Sequence, residues 1–283
     1  MSEHFDALET RDPEQRESAL MKALAAQVAH ARAHAPAGAA RFAEWASSPV
    51  DSRAALARLP VLRKHELHER QRAGLASDAF GGFSAIGWGA GRPAAKRASH
   101  VFVSPGPTHE PESARPDYWR MGRALFAAGT MMDSGAVAIG CTVFPAGTGQ
   151  TELQLQAMAD LRPDAYVGTP SFLRILLEKA DETGTALPSL KKASLGGEAF
   201  PATLRDWLAA RGIGAYQSYG TADLGLVAYE TEAREGLVVD EGVIVEIVSP
   251  GTGDPVAEGE VGELVVTTLN PDYPLIRLGT GDL

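Results

Sequence analysis

The feature that most constrains the fold is an alternation of short apolar runs and helical segments in the second half of the chain. Runs of β-type composition occupy residues 165–167 and 192–195, and segments with helical spacing follow at 171–183 and 202–210. Strands that alternate with helices are typical of βαβ units, in which successive strands lie parallel. We therefore predict an α/β fold with a mainly parallel sheet flanked by helices.

The flanking segments extend this prediction in both directions. Residues 14–34 are rich in Ala, Leu, Glu and Arg and lack Gly and Pro, which predicts a long helix. The mostly apolar residues 136–144 predict a buried strand. Helical spacing disappears after residue 226, and short β-type runs follow at 237–239, 243–247 and 262–268. We therefore expect an α/β core over 1–225 and a small β subdomain over 226–283.

The charge balance limits the classes of partner. The chain has 26 Lys and Arg against 36 Asp and Glu, a formal net charge of −10. General nucleic-acid binding needs a basic face that displaces counterions, so we predict no nucleic-acid partner. The polar, acidic N-terminus does not resemble a signal peptide, and the longest apolar run is too short to span a bilayer. These features predict a cytoplasmic protein without a membrane partner.

Cysteine usage excludes two further kinds of site. Cys141 is the single cysteine, so the chain cannot form an internal disulfide or a zinc site made of several cysteines. This usage fits a reducing compartment. Because Cys141 lies within the predicted strand, we expect it to be a buried apolar residue and not a nucleophile.

Four loops carry side chains that suit a nucleotide and an acid. In GTPSF (168–172) the hydroxyls can cap the following helix, and in SLGGEAF (194–200) the paired glycines let the backbone approach a flat ligand. QSYGTADLG (217–225) offers an aromatic face, a hydroxyl and a carboxylate suited to a hard cation. In the fourth segment, which ends at Leu283, Asp282 can accept hydrogen bonds from two ribose hydroxyls. Each loop alone is equally consistent with a tight turn.

Together these segments resemble the N-terminal part of the adenylate-forming acyl-CoA ligases, and most closely the phenylacetate–CoA ligase family. The matching words are PAGTGQT (145–151), VGTPSFL (167–173), SLGGEAF (194–200), YGTADLG (219–225) and VGELVVTTL…PLIRLGTGDL (261–283). LPVLRK (59–64) resembles the family's early linker. The resemblance implies a two-step reaction. A carboxylate attacks the α-phosphate of Mg·ATP, which gives an acyl-adenylate and pyrophosphate, and the thiol of coenzyme A then displaces AMP.

The resemblance also implies roles for individual residues. The adenine side would be lined by Gly196, Gly197, Glu198 and Ala199. Tyr219 would stack on the base beside Gly220, and Thr221 would approach the α-phosphate. Asp223 would help to bind Mg²⁺ and act with Thr221 in catalysis, while Asp282 would hold the ribose hydroxyls. Ser104 would contact the phosphates, and the acid pocket would include Thr169, Ser171 and Phe172.

Three features depart from the family pattern. The phosphate loop, typically SSGTTGKP, corresponds to SPGPTHEP (104–111), in which Pro105 and Pro107 remove backbone donors and Glu110 replaces a lysine. Asp223 replaces a glutamate and is one methylene shorter, so a metal would have to move or use a water. The stretch around 129–131 is shorter than the pattern, at the place where an aromatic loop of the substrate pocket is expected.

The leading interpretation is an incomplete ligase for a carboxylic acid of the aromatic class, with ATP, Mg²⁺ and coenzyme A as its partners, and the resemblance suggests a homodimer. The family continues after the position of Leu283 with a lid domain that brings a catalytic lysine, and we expect that domain to be absent here. The altered phosphate loop favours an alternative, a non-catalytic relative that binds a nucleotide or an acyl-adenylate and acts as a sensor or partner. A third reading is an acyl-adenylate-using transferase or a biosynthetic ligase.

Overall fold

A computed structural model describes residues 5–45, 48–88, 93, 96–104, 108–124, 133–146 and 150–283. The chain forms two compact units, and both are discontinuous in sequence. Unit 1 comprises Met1–Ala114, Ala222–Leu224 and Glu241–Leu283, and unit 2 comprises Arg115–Thr221 and Gly225–Asp240. Among the described residues, no helix is both long and apolar enough to cross a membrane.

The elements are numbered here in chain order. The helices are α1 (Pro13–His34), α2 (Pro36–Arg41), α3 (Arg53–Ala57), α4 (Lys64–Gly74), α5 (Asp133–Ala138), α6 (Thr151–Leu161), α7 (Pro170–Thr183) and α8 (Ala202–Ala210). The strands are β1 (His100–Ser104), β2 (Thr108–Glu112), β3 (Ala165–Gly168), β4 (Lys192–Leu195), β5 (Gly214–Thr221), β6 (Gly225–Glu230), β7 (Leu237–Val239), β8 (Val243–Val248), β9 (Glu263–Thr268) and β10 (Leu278–Gly279).

Unit 1 combines the N-terminal helices with the last three strands. The Asp12 side chain accepts hydrogen bonds from the first turn of α1, and Pro13 occupies the start of that helix, where it needs no donor. Leu20 and Leu24 of α1 are buried in one core cluster with Ile244 and Ile276. Strands β8, β9 and β10 form an antiparallel sheet with β9 in the middle, and β1 and β2 form a separate antiparallel pair.

Unit 2 contains a five-stranded mixed sheet in the order β3-β4-β5-β6-β7. Strands β3, β4 and β5 are parallel because α7 and α8 return the chain to the same edge of the sheet between them. Only three residues, Ala222–Leu224, connect β5 to β6, which is too short for a crossover, so β6 and then β7 pair antiparallel. The α/β prediction is confirmed, and the sheet is parallel only over its first three strands.

Local signals explain where the helices of unit 2 begin and end. Thr169 caps α7 by accepting a hydrogen bond from the amide of Phe172, and Pro170 takes the first helical position. Gly184 ends the same helix with a φ of +67°. The buried face of α7, with Leu173 and Leu176, packs in a cluster that also holds apolar residues of β4 and α8.

Two predictions about residues 136–144 are wrong. The segment contains the end of helix α5 and then residues without regular structure, and Cys141 is exposed. A short apolar run fits a buried helical segment as well as a strand, and periodicity alone cannot separate the two. The shortened stretch around 129–131 lies outside the described residues. The boundary expected at residue 225 stays a prediction about folding domains, although β6 and β7 pair with the sheet before it.

Candidate functional site

The carboxyl ends of β3, β4 and β5 bring three of the predicted motifs to one edge of the sheet in unit 2. In the parallel register Gly168 lies beside Leu195, and Leu195 lies beside Gln217. The amide of Gly196 donates to the carbonyl oxygen of Gly168 at 3.2 Å, which extends the ladder into the loops. Ligands of open α/β sheets bind at this edge, so the loops that leave it are the candidate site.

The first loop places the predicted acid-pocket residues at the start of α7. Thr169 Oγ1 accepts from the amide of Phe172 at 3.4 Å, a long and weak capping bond. Ser171 is exposed, whereas Phe172 is half-buried and packs against the cluster beneath the helix. The loop therefore presents two hydroxyls beside one aromatic ring.

The second loop is joined to the first through Glu198. Ser171 donates to it twice, from Oγ to Oε1 at 2.9 Å and from its backbone amide to Oε2 at 3.3 Å. A carboxylate at a helix N-terminus is stabilised by the unpaired amides and the dipole there. The predicted adenine loop and the predicted acid loop thus share one hydrogen-bonded carboxylate, a contact that the motifs alone did not reveal.

The glycines of the second loop keep its backbone close to β5. A Cβ on Gly196 would lie 3.1 Å from the carbonyl oxygen of Ser218, tighter than most side-chain contacts, and Gly197 has a φ of +75°. Glu198 and Ala199 are exposed. Gly197 is exposed as well, whereas Gly196 is buried, so the backbone of this turn is accessible from solvent at Gly197, as the approach of a flat ring would require.

Tyr166 on β3 lies beneath this edge. Its hydroxyl is so close to Gly168 that a Cβ there would approach it to 2.4 Å. Burial, with a smaller contribution from the negative charge of Glu198, raises the pKa of Tyr166 to about 12. The phenol therefore stays protonated at neutral pH and remains a hydrogen-bond donor at the floor of the site.

The third motif covers the end of β5, which has a β-bulge between Tyr219 and Gly220, and the connection that follows it. A Cβ on Gly220 would come within 2.6 Å of the carbonyl oxygen of Gly225, so only glycine fits this close approach of β5 to β6. Tyr219 and Thr221 are both half-buried. The sequence therefore presents an aromatic face and a hydroxyl on either side of a glycine that holds the two strands together.

Asp223 belongs to unit 1 and faces a lysine. Its side chain is only 3% exposed, and its Oδ2 accepts from Lys64 Nζ at 2.8 Å. Its Oδ1 is buried and has no hydrogen-bond partner among the residues described. Across the described part of the chain, no group of three or more His, Cys, Asp or Glu side chains could hold a metal ion. Because Mg²⁺ takes only one or two carboxylates together with waters and phosphates, the Mg²⁺ role of Asp223 stays a prediction, with its Oδ2 held by Lys64.

Asp282 and the phosphate-loop segment also lie in unit 1. Asp282 is exposed, and its backbone is anchored, with its amide donating to Thr280 Oγ1 at 3.1 Å and its carbonyl accepting from Leu264 at 2.9 Å. Only the backbone of Ser104 is described, and residues 105–107 lie outside the described residues, so the role of Ser104 stays a prediction. Glu110 is fully buried and accepts from Thr108 Oγ1 at 2.7 Å, so its carboxylate does not face solvent.

Sequence reasoning missed two charged residues of unit 1. Lys64 ends the word LPVLRK but received no role, because its partner is 159 positions away and no local pattern links them. Arg277, only 2% exposed, binds Glu246 at 3.0 Å and the carbonyl oxygens of Ala57 and Gly253 at 2.8 and 2.7 Å. An arginine in a run such as PLIRLG is the only signal that could have pointed to such a buried centre.

Comparison with known proteins identifies relatives of this chain. The family described as AMP-binding enzyme matches residues 98–270. The chain is 36% identical over 170 residues to phenylacetate-coenzyme A ligase of Aromatoleum evansii, which covers 57% of this chain and 39% of the relative. It is 35% identical over 170 residues to the enzyme of the same name from Thermus thermophilus, with 57% and 38% covered. The match thus spans about two fifths of each relative.

Solved structures show the same fold. A 2-hydroxyisobutyryl-CoA ligase in complex with 2-HIB-AMP and CoA superposes with a TM-score of 0.78 over 95% of this chain and 64% of that one, at 24% identity. An anthranilate CoA ligase in complex with anthranoyl-AMP superposes with a TM-score of 0.53 over 64% of this chain and 43% of that one, at 18% identity. The fold and the family match agree with the resemblance seen in the motifs, and the chain belongs to the AMP-binding enzyme family.

Proposed function

We propose that the chain binds ATP and a small carboxylic acid and acts in an acid–thiol ligase that forms an acyl-adenylate and then an acyl-CoA. The observation that carries this proposal is the convergence of three motif loops at the carboxyl edge of β3, β4 and β5, linked by the Glu198–Ser171 contact. Such an edge is where open α/β sheets bind nucleotides. The relatives named above are phenylacetate-coenzyme A ligases, which supports this reaction class.

The proposed chemistry assigns each group a task. Tyr219 stacks on the adenine beside the turn at Gly196 and Gly197, which is exposed at Gly197, and Asp282 accepts hydrogen bonds from the ribose hydroxyls. The acid oxygen then attacks the α-phosphorus as the bond to pyrophosphate breaks. Thr221 donates to an α-phosphate oxygen, where negative charge develops in the transition state.

The second step consumes the mixed anhydride. The sulfur of coenzyme A, as a thiolate, attacks the acyl carbon, and the carbon–oxygen bond to AMP breaks. No step is assigned to a metal at Asp223, because that carboxylate pairs with Lys64. The Thr221 hydroxyl is therefore the group of this chain that we place closest to the reacting phosphate.

For the acid we propose an aromatic carboxylate. The loop at the start of α7 offers the ring of Phe172 and the hydroxyls of Thr169 and Ser171, which together suit an apolar ring with a polar end. Phenylacetate, the acid named in the curated relatives, has this chemistry. We also propose a homodimer and a cytoplasmic location. Neither proposal assigns a role to a residue of the site.

Calorimetric titration of the full chain tests the proposal. The ligands are AMP, ATP and a non-hydrolysable phenylacetyl-adenylate, and the variants are Tyr219→Ala and its control Tyr216→Ala. Tyr216 lies on the same strand, half-buried, with the Arg234 guanidinium over its ring at 5.3 Å. Loss of base stacking costs about 1–3 kcal/mol, so Tyr219→Ala should weaken AMP binding roughly 5- to 150-fold.

The control should change AMP affinity less than about twofold, because only Tyr219 meets the base. Absence of binding by the wild-type chain to all three ligands would refute the proposal. Equal losses in the two variants would refute the assignment of Tyr219. Binding of the adenylate and AMP without ATP would instead favour a non-catalytic adenylate-binding protein.

A further inference from the structure

The family pattern assigns the Asp223 carboxylate to a metal, but in this structure the Lys64 ammonium of the same unit compensates its negative charge. Asp223 Oδ2 and Lys64 Nζ are 2.8 Å apart, and both residues belong to unit 1. The Asp223 side chain is 3% exposed, whereas that of Lys64 is 38% exposed. The carboxylate is thus almost wholly withdrawn from water, while the lysine spans from solvent to its partner.

Helix chemistry gives no other reason for the lysine to be there. Lys64 is the first residue of α4, and no side chain caps that end of the helix. A cation at a helix N-terminus faces the positive end of the dipole and is disfavoured. An isolated buried carboxylate is strongly disfavoured as well, unless an opposite charge reaches it. The ion pair removes the cost of burying the Asp223 carboxylate, and this gain explains why Lys64 lies at the start of the helix.

The same contact competes with a hard cation. Mg²⁺ requires octahedral oxygen coordination and binds through one or two carboxylates together with waters and phosphates. Within the described ranges no group of three or more acidic, cysteine or histidine side chains surrounds Asp223, so waters and phosphates would have to complete such a shell, and Oδ1 is the carboxylate oxygen that Lys64 leaves open. The ammonium group already provides a full positive charge at hydrogen-bond distance from Oδ2.

We propose that Lys64 is the resident counter-ion of Asp223, a positioning residue that holds this carboxylate where the family pattern has a metal. Asp223 then fixes the connection between β5 and β6 to the start of α4 and does not ligate a divalent ion. The inference concerns the site of the proposed function, but its tests use neither nucleotide nor acid. Its failure is therefore distinguishable from failure of the ligase assignment.

Urea unfolding of the full chain tests the pairing. The variants are Lys64→Met, Asp223→Asn and the double variant, with Lys64→Arg to retain the charge. Lys179→Met is the matched control, because Lys179 is 33% exposed, close to Lys64, but its partners Glu182 and Glu152 are 67% and 85% exposed. The control therefore removes a similar lysine without stranding a buried carboxylate.

We expect Lys64→Met to raise the unfolding equilibrium constant at least about tenfold, since removing one partner of a buried pair leaves an uncompensated charge. In the double variant, the rise in the unfolding equilibrium constant should be at least about fivefold smaller than the product of the rises in the two single variants. Lys64→Arg should lose less than Lys64→Met, and Lys179→Met should change the constant less than about threefold, as exposed pairs do. Additive single effects in the cycle would overturn the proposal.

Calorimetric titration with Mn²⁺ alone, as a probe for divalent ions, provides the second readout. The wild type and Asp223→Asn should give the same heats. Saturable Mn²⁺ binding by the wild type that Asp223→Asn abolishes would overturn the proposal whatever the unfolding data show. If Lys64→Met does not fold, the double variant decides, because a folded double variant supports the pairing and an unfolded one contradicts it.

Discussion

The Ser171–Glu198 contact leads to a quantitative prediction about how the two motif loops are held together. Replacing Glu198 with Ala removes a carboxylate from the N-terminus of α7 and with it both acceptors for Ser171. Glu198→Gln keeps one acceptor but loses the charge. Ser171→Ala loses the 2.9 Å hydroxyl bond and keeps the backbone donor at 3.3 Å.

The expected size follows from geometry and exposure. A negative charge at an exposed helix N-terminus contributes about 0.3–1 kcal/mol. A hydrogen bond contributes about 0.5–1.5 kcal/mol net, and here the lower half applies because both residues are exposed. Glu198→Ala should therefore lower the free energy of unfolding by about 1 kcal/mol, and Glu198→Gln or Ser171→Ala by about half of that.

Urea denaturation, followed by a probe in unit 2, measures these losses against a control on the same helix. Glu178→Ala removes an equally exposed type of carboxylate, paired with Arg174 at 2.7 Å, but away from the N-terminus. It should cost at most about 0.5 kcal/mol. Part of the Glu198 loss should vanish in 1 M salt, where the screening length is about 3 Å. A Glu198→Ala loss no larger than the control loss, or a Ser171–Glu198 cycle with no coupling, would refute the reasoning.

Two further predictions concern unit 2. Because the folded pKa of Tyr166, about 12, lies above its ordinary value of 10.0, its protonated form stabilises the fold below pH 10, and this contribution is lost as the pH rises through 12. The absorbance change at 295 nm near pH 12 should be smaller in Tyr166→Phe than in the wild type by the amplitude of one tyrosine, and an unchanged amplitude would contradict the assignment. Gly225→Ala should lower the free energy of unfolding by more than about 2 kcal/mol, because φ is +71° and the new Cβ would lie 2.6 Å from the Trp119 carbonyl oxygen. The control Gly212→Ala, with a φ of +75° but open space around it, should lower it by about 1 kcal/mol. Similar urea midpoints for the two variants would show that the close approach at Gly225 is relieved.

Elements with strong local signals were predictable. The helix at 171–183 was expected from its helical spacing and from the capping hydroxyls of GTPSF, and the structure has it over Pro170–Thr183, where Gly184 ends it. Strand β4 and helix α8 have the predicted bounds, 192–195 and 202–210. In each case the hydrophobic periodicity and the residues at the ends of the element lie within a few positions of one another, so no distant partner is needed to specify the element.

Features that depend on distant partners were not predictable. The run at 136–144 is apolar in either conformation, and the chain around it determines that α5 ends at Ala138. The Lys64–Asp223 pair joins positions that are 159 residues apart. The motif YGTAD suggested a metal at Asp223 because a local motif contains no information about this distant lysine. The meeting of the motif loops was predictable in outline, since parallel strands end at one edge, but the Ser171–Glu198 bond was not.

The discontinuity of unit 1 has a consequence for the order of events during synthesis. Leu20 and Leu24 of α1 share their core with Ile244 and Ile276, so α1 cannot complete its packing until those later segments have left the ribosome. Roughly 250 positions separate Leu24 from Ile276, so the delay is about 13–50 s at translation rates of about 5–20 residues per second. Unit 2 is complete at Asp240 and can fold within this interval. The apolar face of α1 therefore stays without these partners throughout the interval, and it is a surface that a nascent-chain chaperone would cover.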